Sequence, residues 1–259
     1  MIGLFARLAR VRRLDHGEEA TLVEHLEELR QRLFVCIGTV VVAWIAAFVV
    51  HAHVVRLLTH QLPREHRKLL TLGIGEPFMT SLWLSLYLGV AISLPVILWQ
   101  AWSFFIPAFE KSHERMLKAF VFLATALMVC GLVFGYYVAL PAAAKFLTHF
   151  DSSIYNVQVQ ARPYISFATM VLLAMALVFE LPLFVVGLTR MGVLTTQQLR
   201  KNRRLGYFIV AVIGVALPGI DPVTTFFETI PLALLYEGSI WLSVLLDRRA
   251  ARSAEPVAT

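Results

Sequence analysis

Six long apolar stretches fix what this chain can become. They cover about 33–50, 80–105, 117–140, 164–189, 205–217 and 224–246 of its 259 residues. Crossing the roughly 30 Å hydrocarbon core of a bilayer takes about 20 helical residues. Lipid offers the backbone no hydrogen-bond partners, so such stretches must be helices that satisfy themselves. Five of the six approach or exceed the spanning length, and 205–217 is short. Composition agrees: the chain is 58% hydrophobic and 15% charged, with a mean hydropathy of +0.72. Soluble domains run at about 45–50% apolar and about 25% charged. The expected class is an all-α polytopic membrane protein with six transmembrane helices. The short fifth stretch and the sixth are joined by the turn Pro218-Gly219-Ile220-Asp221-Pro222. They read as a hairpin that thins the bilayer, or as a tilted pair.

Basic residues set the orientation. With an even number of spans, both ends share one face. That face carries seventeen Lys and Arg: Arg7, Arg10, Arg12, Arg13, Arg30 and Arg32, then Lys111, Arg115 and Lys118, Arg190, Arg200, Lys201, Arg203 and Arg204, and finally Arg248, Arg249 and Arg252. The opposite face carries six: Arg56, Arg64, Arg67, Lys68, Lys145 and Arg162. The positive-inside rule puts both termini in the cytoplasm and loops 51–79 and 141–163 outside. Both loops are long enough to fold as surface caps, the first with an amphipathic helix around 54–61. The domain reading is a basic extension at 1–20, one membrane domain at 21–246 and a cytoplasmic tail at 247–259. The extension is either an amphipathic segment on an anionic leaflet or a disordered basic tail.

Catalytic signatures are missing. There is no His-Glu-x-x-His, Gly-x-Ser-x-Gly, phosphate-binding loop or nucleotide fingerprint. Cys36 and Cys130 lie in apolar stretches and give neither a disulfide framework nor metal-ligand spacing. The reading is a binder or conduit, not an enzyme, with no cofactor, no metal and no nucleic-acid partner.

Polar groups therefore carry the functional signal. Thr21 and Glu24 form a capping box just before the first apolar stretch. Leu22, Leu26, Leu29 and Leu33 make an apolar stripe, and Glu24, Glu27, Glu28 and Gln31 gather opposite it, flanked by His25 and Arg32. This carboxylate face is either a dock for a cationic ligand or an ordinary solvated surface. Within the spans, Glu180, Glu237 and Gln100 are expensive in lipid. Each is a proton relay, a contact for another membrane helix, or a group bonded to a neighbouring Ser or Thr. Pro95, Pro182 and Pro231 interrupt three spans and predict bent helices enclosing a groove lined by Glu180 beside Pro182. Gly131 and Gly135 have a helix-packing spacing.

Together these words resemble the TatC family, the large polytopic subunit of the twin-arginine protein translocase. They are His25-Leu26-x-Glu28-Leu29-Arg30-x-Arg32-Leu33, Pro77-Phe78, Leu94-Pro95-Val96-Ile97-Leu98-Trp99-Gln100-x-Trp102-x-Phe104, Pro107-Ala108, His113-Glu114-Arg115, Tyr164-x-Ser166-Phe167, Phe179-Glu180-Leu181-Pro182, Leu199-Arg200-Lys201-x-Arg203 and Pro218-x-x-Asp221-Pro222. The likeness spans roughly 22–246. It implies a cupped six-helix bundle in the cytoplasmic (inner) membrane. It implies a receptor for signal peptides bearing paired arginines on folded cargo, driven by the proton-motive force. Partners would be single-span subunits of the TatA and TatB types, in a multimeric receptor complex.

The resemblance also assigns residues. Glu28 and Glu114 would bind the signal peptide, with Arg30, Arg32, Phe104 and His25 nearby. Glu180 would face a partner helix, with Gln100 and Pro182. Pro77, Phe78, Pro95, Asp221 and Glu237 would be structural. The loop Pro107-Ala108-Phe109-Glu110-Lys111-Ser112-His113-Glu114 is one residue longer than the pattern, which leaves Glu110 as the alternative to Glu114. The competing class is a proton-coupled secondary transporter with Glu180 as its proton site.

Overall fold

The computed structural model describes residues 22–105, 113–219 and 221–254, with side chains at 22–25, 105, 113–119 and 248–254 falling outside that description. Its helices are α1 (Leu22–His60), α2 (Glu76–Phe105), α3 (His113–Phe134), α4 (Leu140–His149), α5 (Ala161–Val178), α6 (Leu181–Arg190), α7 (Thr196–Lys201), α8 (Arg203–Ala216) and α9 (Pro222–Ala254). Five stretches are long and apolar enough to cross a membrane: Leu26–His60, Glu76–Phe104, Phe120–His149, Ala161–Arg190 and Pro222–Asp247. The sixth, α8, has 14 residues. At about 1.5 Å per residue it reaches only about 21 Å.

The helices pack as a row that turns back on itself. α1 lies mainly against α2; α2 and α3 both pack on α5; α6 and α8 pack on α9. α1 and α8 sit at opposite ends of this row, which makes an open cup of the six-helix bundle. Exposed Leu26, Leu29, Leu33, Ile37, Val41 and Ile45 show that α1 turns a long apolar face outward. The Leu26, Leu29 and Leu33 stripe therefore faces outward. It is the first part of the lipid-facing side of one continuous 39-residue helix.

Prolines decide where helices break. Pro182 has no N–H to give Val178 and its ring would crowd that carbonyl, so α5 stops at Val178 and α6 starts at Leu181. Pro182 thus opens a helix and does not bend one. Pro95 and Pro231 lie inside unbroken α2 and α9. Pro141 does not open a loop. The helix absorbs it with a π turn at Gly135–Ala139, where the Leu140 N–H reaches back to Gly135 O, and continues to His149.

The two loops expected outside are consequently shorter than expected, 61–75 and 150–160. They are stitched together by Leu70 N–H to Val159 O (2.9 Å) and Ala161 N–H to Leu70 O (2.8 Å). The Tyr164 hydroxyl donates to Leu58 O (2.7 Å) and that of Tyr136 to Leu57 O (3.1 Å), tying the far end of α1 to α5 and the π turn. On the same face, Pro77 sits in the first turn of α2, and Phe78 meets Phe48 edge to face, ring centroids 6.3 Å apart. Gly131 and Gly135 both press on Met175 of α5: a side chain at Gly131 would collide with the Met175 carbonyl, and one at Gly135 would crowd the Leu172 and Met175 side chains.

Candidate functional site

The N-terminal turns of α1 and the C-terminal turns of α2 meet through one side chain, Arg32. Its Nε and Nη2 both reach Glu28 Oε1, at 3.0 and 2.5 Å. Nη1 donates to Gln100 Oε1 at 3.1 Å and to Gln100 O at 3.4 Å, and Nη2 donates to Ser103 O at 3.2 Å. The side chains of Arg32 and Glu28 are 13% and 20% exposed, so the pair is shielded but reachable. Arg30 points elsewhere and pairs with Glu27 at 2.6 Å in the open. Gln31 also leans on Glu27, at 3.4 Å. The carboxylate face thus splits into a solvent pair, Glu27–Arg30, and an anchored one, Glu28–Arg32. Phe104 is half-buried beside Ser103. The side chains of His25 and Glu114, and the whole of Glu110, lie outside the described residues.

Gln100 meets Arg32 within this chain. The reason is its place near the end of α2, level with the start of α1.

Glu180 occupies the α5–α6 break. It is 9% exposed, and Oε1 is buried with no hydrogen-bond partner among the described residues. Its backbone holds the junction, with Glu180 N–H to Leu177 O at 3.1 Å and Phe184 N–H to Glu180 O at 3.0 Å. A groove of about 430 Å³ lies nearby, but Glu180 and Pro182 are not in its wall. Its lining is apolar throughout and includes Phe134, Val138, Phe179, Phe227 and Pro231.

Two acidic residues shape the α8–α9 hairpin. Asp221 caps α9: Oδ1 accepts from Thr224 N–H at 2.8 Å, and the Thr224 hydroxyl donates to Oδ2. Glu237 accepts from the Tyr207 hydroxyl (2.8 Å) and Trp241 Nε1 (3.0 Å) and pairs with Arg203 (3.1 Å), so α8 and α9 are joined by a charged clasp. Reading the ionisable groups within spans finds Glu180 and Glu237 but passes over Glu228. That residue is 0% exposed, and both carboxylate oxygens lack partners among the described residues. Its signal was plain: a carboxylate inside the apolar stretch 224–246. No group of three or more potential metal ligands occurs among the described residues.

A family model described as Sec-independent protein translocase protein (TatC) matches residues 24–231. The chain belongs to the TatC family. Similar relatives include the Sec-independent protein translocase protein TatCd of Bacillus subtilis, 33% identical over 91% of this chain and 96% of that protein. The TatC of Carboxydothermus hydrogenoformans is 32% identical over 86% and 92%. A crystal structure of the twin-arginine translocase receptor TatC in the detergent DDM superposes with a TM-score of 0.76 at 33% identity, covering 85% of this chain and 99% of that one. This TatC-family chain is accordingly a multi-pass membrane subunit of a Sec-independent protein translocase. A small-solute transporter built on Glu180 is not favoured, since the relatives are translocase proteins.

Proposed function

We propose that this chain is the subunit that receives signal peptides carrying paired arginines, and that Glu28 is one of the carboxylates that hold them. The observation carrying this reading is a carboxylate fixed, but still reachable, where α1 meets α2. A guanidinium seeks a planar, pre-oriented carboxylate, a match that an ammonium does not reproduce. Glu114, at the start of α3 on the same membrane side by the charge count, supplies the second. Glu180, buried without a full set of partners, takes a polar group from the membrane helix of a TatA- or TatB-type subunit in a multimeric complex. The proton-motive force across the cytoplasmic membrane drives transport, and both termini face the cytoplasm.

The test is binding of a labelled twin-arginine signal peptide to the purified chain in nanodiscs. Charge-assisted hydrogen bonds are worth about 1.5–3 kcal/mol each. Glu28→Gln and Glu114→Gln should therefore each weaken binding about tenfold to a hundredfold. Glu27→Gln, which disturbs only the exposed pair with Arg30, should matter little. Equal losses at all three sites would mean a diffuse acidic surface. A loss at Glu110→Gln with none at Glu114→Gln would move the second carboxylate to Glu110.

A further inference from the structure

We infer that Arg32 sets the site's preference for arginine over lysine, serving as a resident guanidinium that neutralises Glu28 while leaving one of its oxygens for the ligand. The inference rests on the receptor reading of Glu28 and adds how that carboxylate discriminates. Both contacts from Arg32 converge on Oε1. Oε2 accepts no hydrogen bond among the described residues. The remaining three contacts of Arg32 go to α2: the Gln100 amide oxygen, Gln100 O and Ser103 O. Ser103 O belongs to the last turn of α2, where carbonyls lack helical partners and favour a cation. Arg32 is thus moored to α2 independently of Glu28. A ligand adds to the pair without displacing it.

This arrangement separates the two cations by how each is attracted. An ammonium is a compact, strongly hydrated point charge and is drawn by the local field. Arg32 sits on Glu28 and cancels most of that field, so lysine has little to offset its dehydration. A guanidinium is weakly hydrated and carries donors in a fixed plane. It can place two N–H groups on Oε2, as Arg32 does on Oε1, and its gain is directional. The resident charge therefore lowers the affinity for both cations but lowers it more for lysine. Arg32 is a positioning residue, acting on the ligand through Glu28.

The test uses the full chain in nanodiscs, with fluorescent twin-arginine and twin-lysine versions of one signal peptide. The parent should prefer the arginine peptide by about tenfold or more, the value of one charge-assisted bond. In Arg32→Gln the lysine peptide should bind several-fold more tightly, with a smaller gain for the arginine peptide, so that the ratio falls below about threefold. In Arg32→Lys the charge remains, so lysine binding should stay weak. Arginine binding should fall because the planar grip on Oε1 is lost. A ratio in Arg32→Gln within twofold of the parent's would overturn the inference. So would an arginine peptide that gains more than the lysine one, because Arg32 would then be a competitor to be displaced. Should Arg32→Gln not purify as a monodisperse protein, Arg32→Lys decides: an unchanged ratio overturns the inference. Failure of the receptor reading looks different. It would show as a parent that binds both peptides alike, or as Glu28→Gln leaving arginine binding intact.

Discussion

At the scale of single residues, Glu228 is a carboxylate with both oxygens buried and unpaired among the described residues. Its two oxygens are buried on α9, one helical turn beyond Thr224 and two beyond Asp221, and neither has a partner among the described residues. A buried polar group left unpaired costs about 1–3 kcal/mol, and an apolar side chain of similar shape removes that cost. Glu228→Met is therefore expected to hold or raise the thermal midpoint of the detergent-solubilised protein, by about 2–4 °C per kcal/mol recovered. Glu228→Gln keeps an unpaired polar group and should bring no gain. A midpoint that falls more in the methionine variant than in the glutamine one would mean that Glu228 has a polar partner the protein needs. The residue scale also divides what sequence can reveal. Glu28 and Arg32 are four apart, and helix geometry alone puts them together. Gln100 lies 68 positions from Arg32, and no local spacing foretells that meeting.

Elements follow local chemistry where the chemistry is unambiguous. Six apolar stretches become helices because lipid permits little else, and the short fifth is short in the structure too. Their ends were less legible, because a proline has two solutions. Pro182 breaks its helix, while Pro141 is accommodated by a π turn that packs closely on α5 through Gly135. Choosing between them requires the packing. One contact shows how much the packing matters: the Trp102 ring of α2 lies directly on Gly187 of α6, so that a Cβ there would strike the indole. Trp102 is itself buried and meets Phe120 edge to face at 4.6 Å. Gly187→Val must push the ring aside, and overpacking of this kind costs about 1–3 kcal/mol. The expected result is a thermal midpoint lower by several degrees. Gly38, which has nothing within reach of a new Cβ, should tolerate alanine without such a loss. An undisturbed midpoint in Gly187→Val would mean that α2 and α6 are not clamped at this point. The α5–α6 break carries a second expectation. Photo-crosslinkers at positions 176–184 should capture a single-span partner, and capture of lipid alone would leave Glu180 without one.

The whole molecule has two faces, and its orientation is the property that both proposals depend on. Seventeen basic residues against six predict cytoplasmic termini. The structure sharpens the test, because the bridge between Leu70 and Gln160 binds loops 61–75 and 150–160 into one layer. Whatever side one loop occupies, the other must share. With Cys36 and Cys130 replaced by serine, single cysteines at Gln61 and Asn156 should both react with a membrane-impermeant maleimide on intact cells. A cysteine at Gln197, exposed in α7 on the opposite face, should react only after permeabilisation. The reverse pattern would invert the topology and put Glu28 on the wrong side to meet a cytoplasmic signal peptide, removing the receptor reading with it. A split result, with Gln61 and Asn156 reacting from different sides, would contradict the bridge and the fold that carries it.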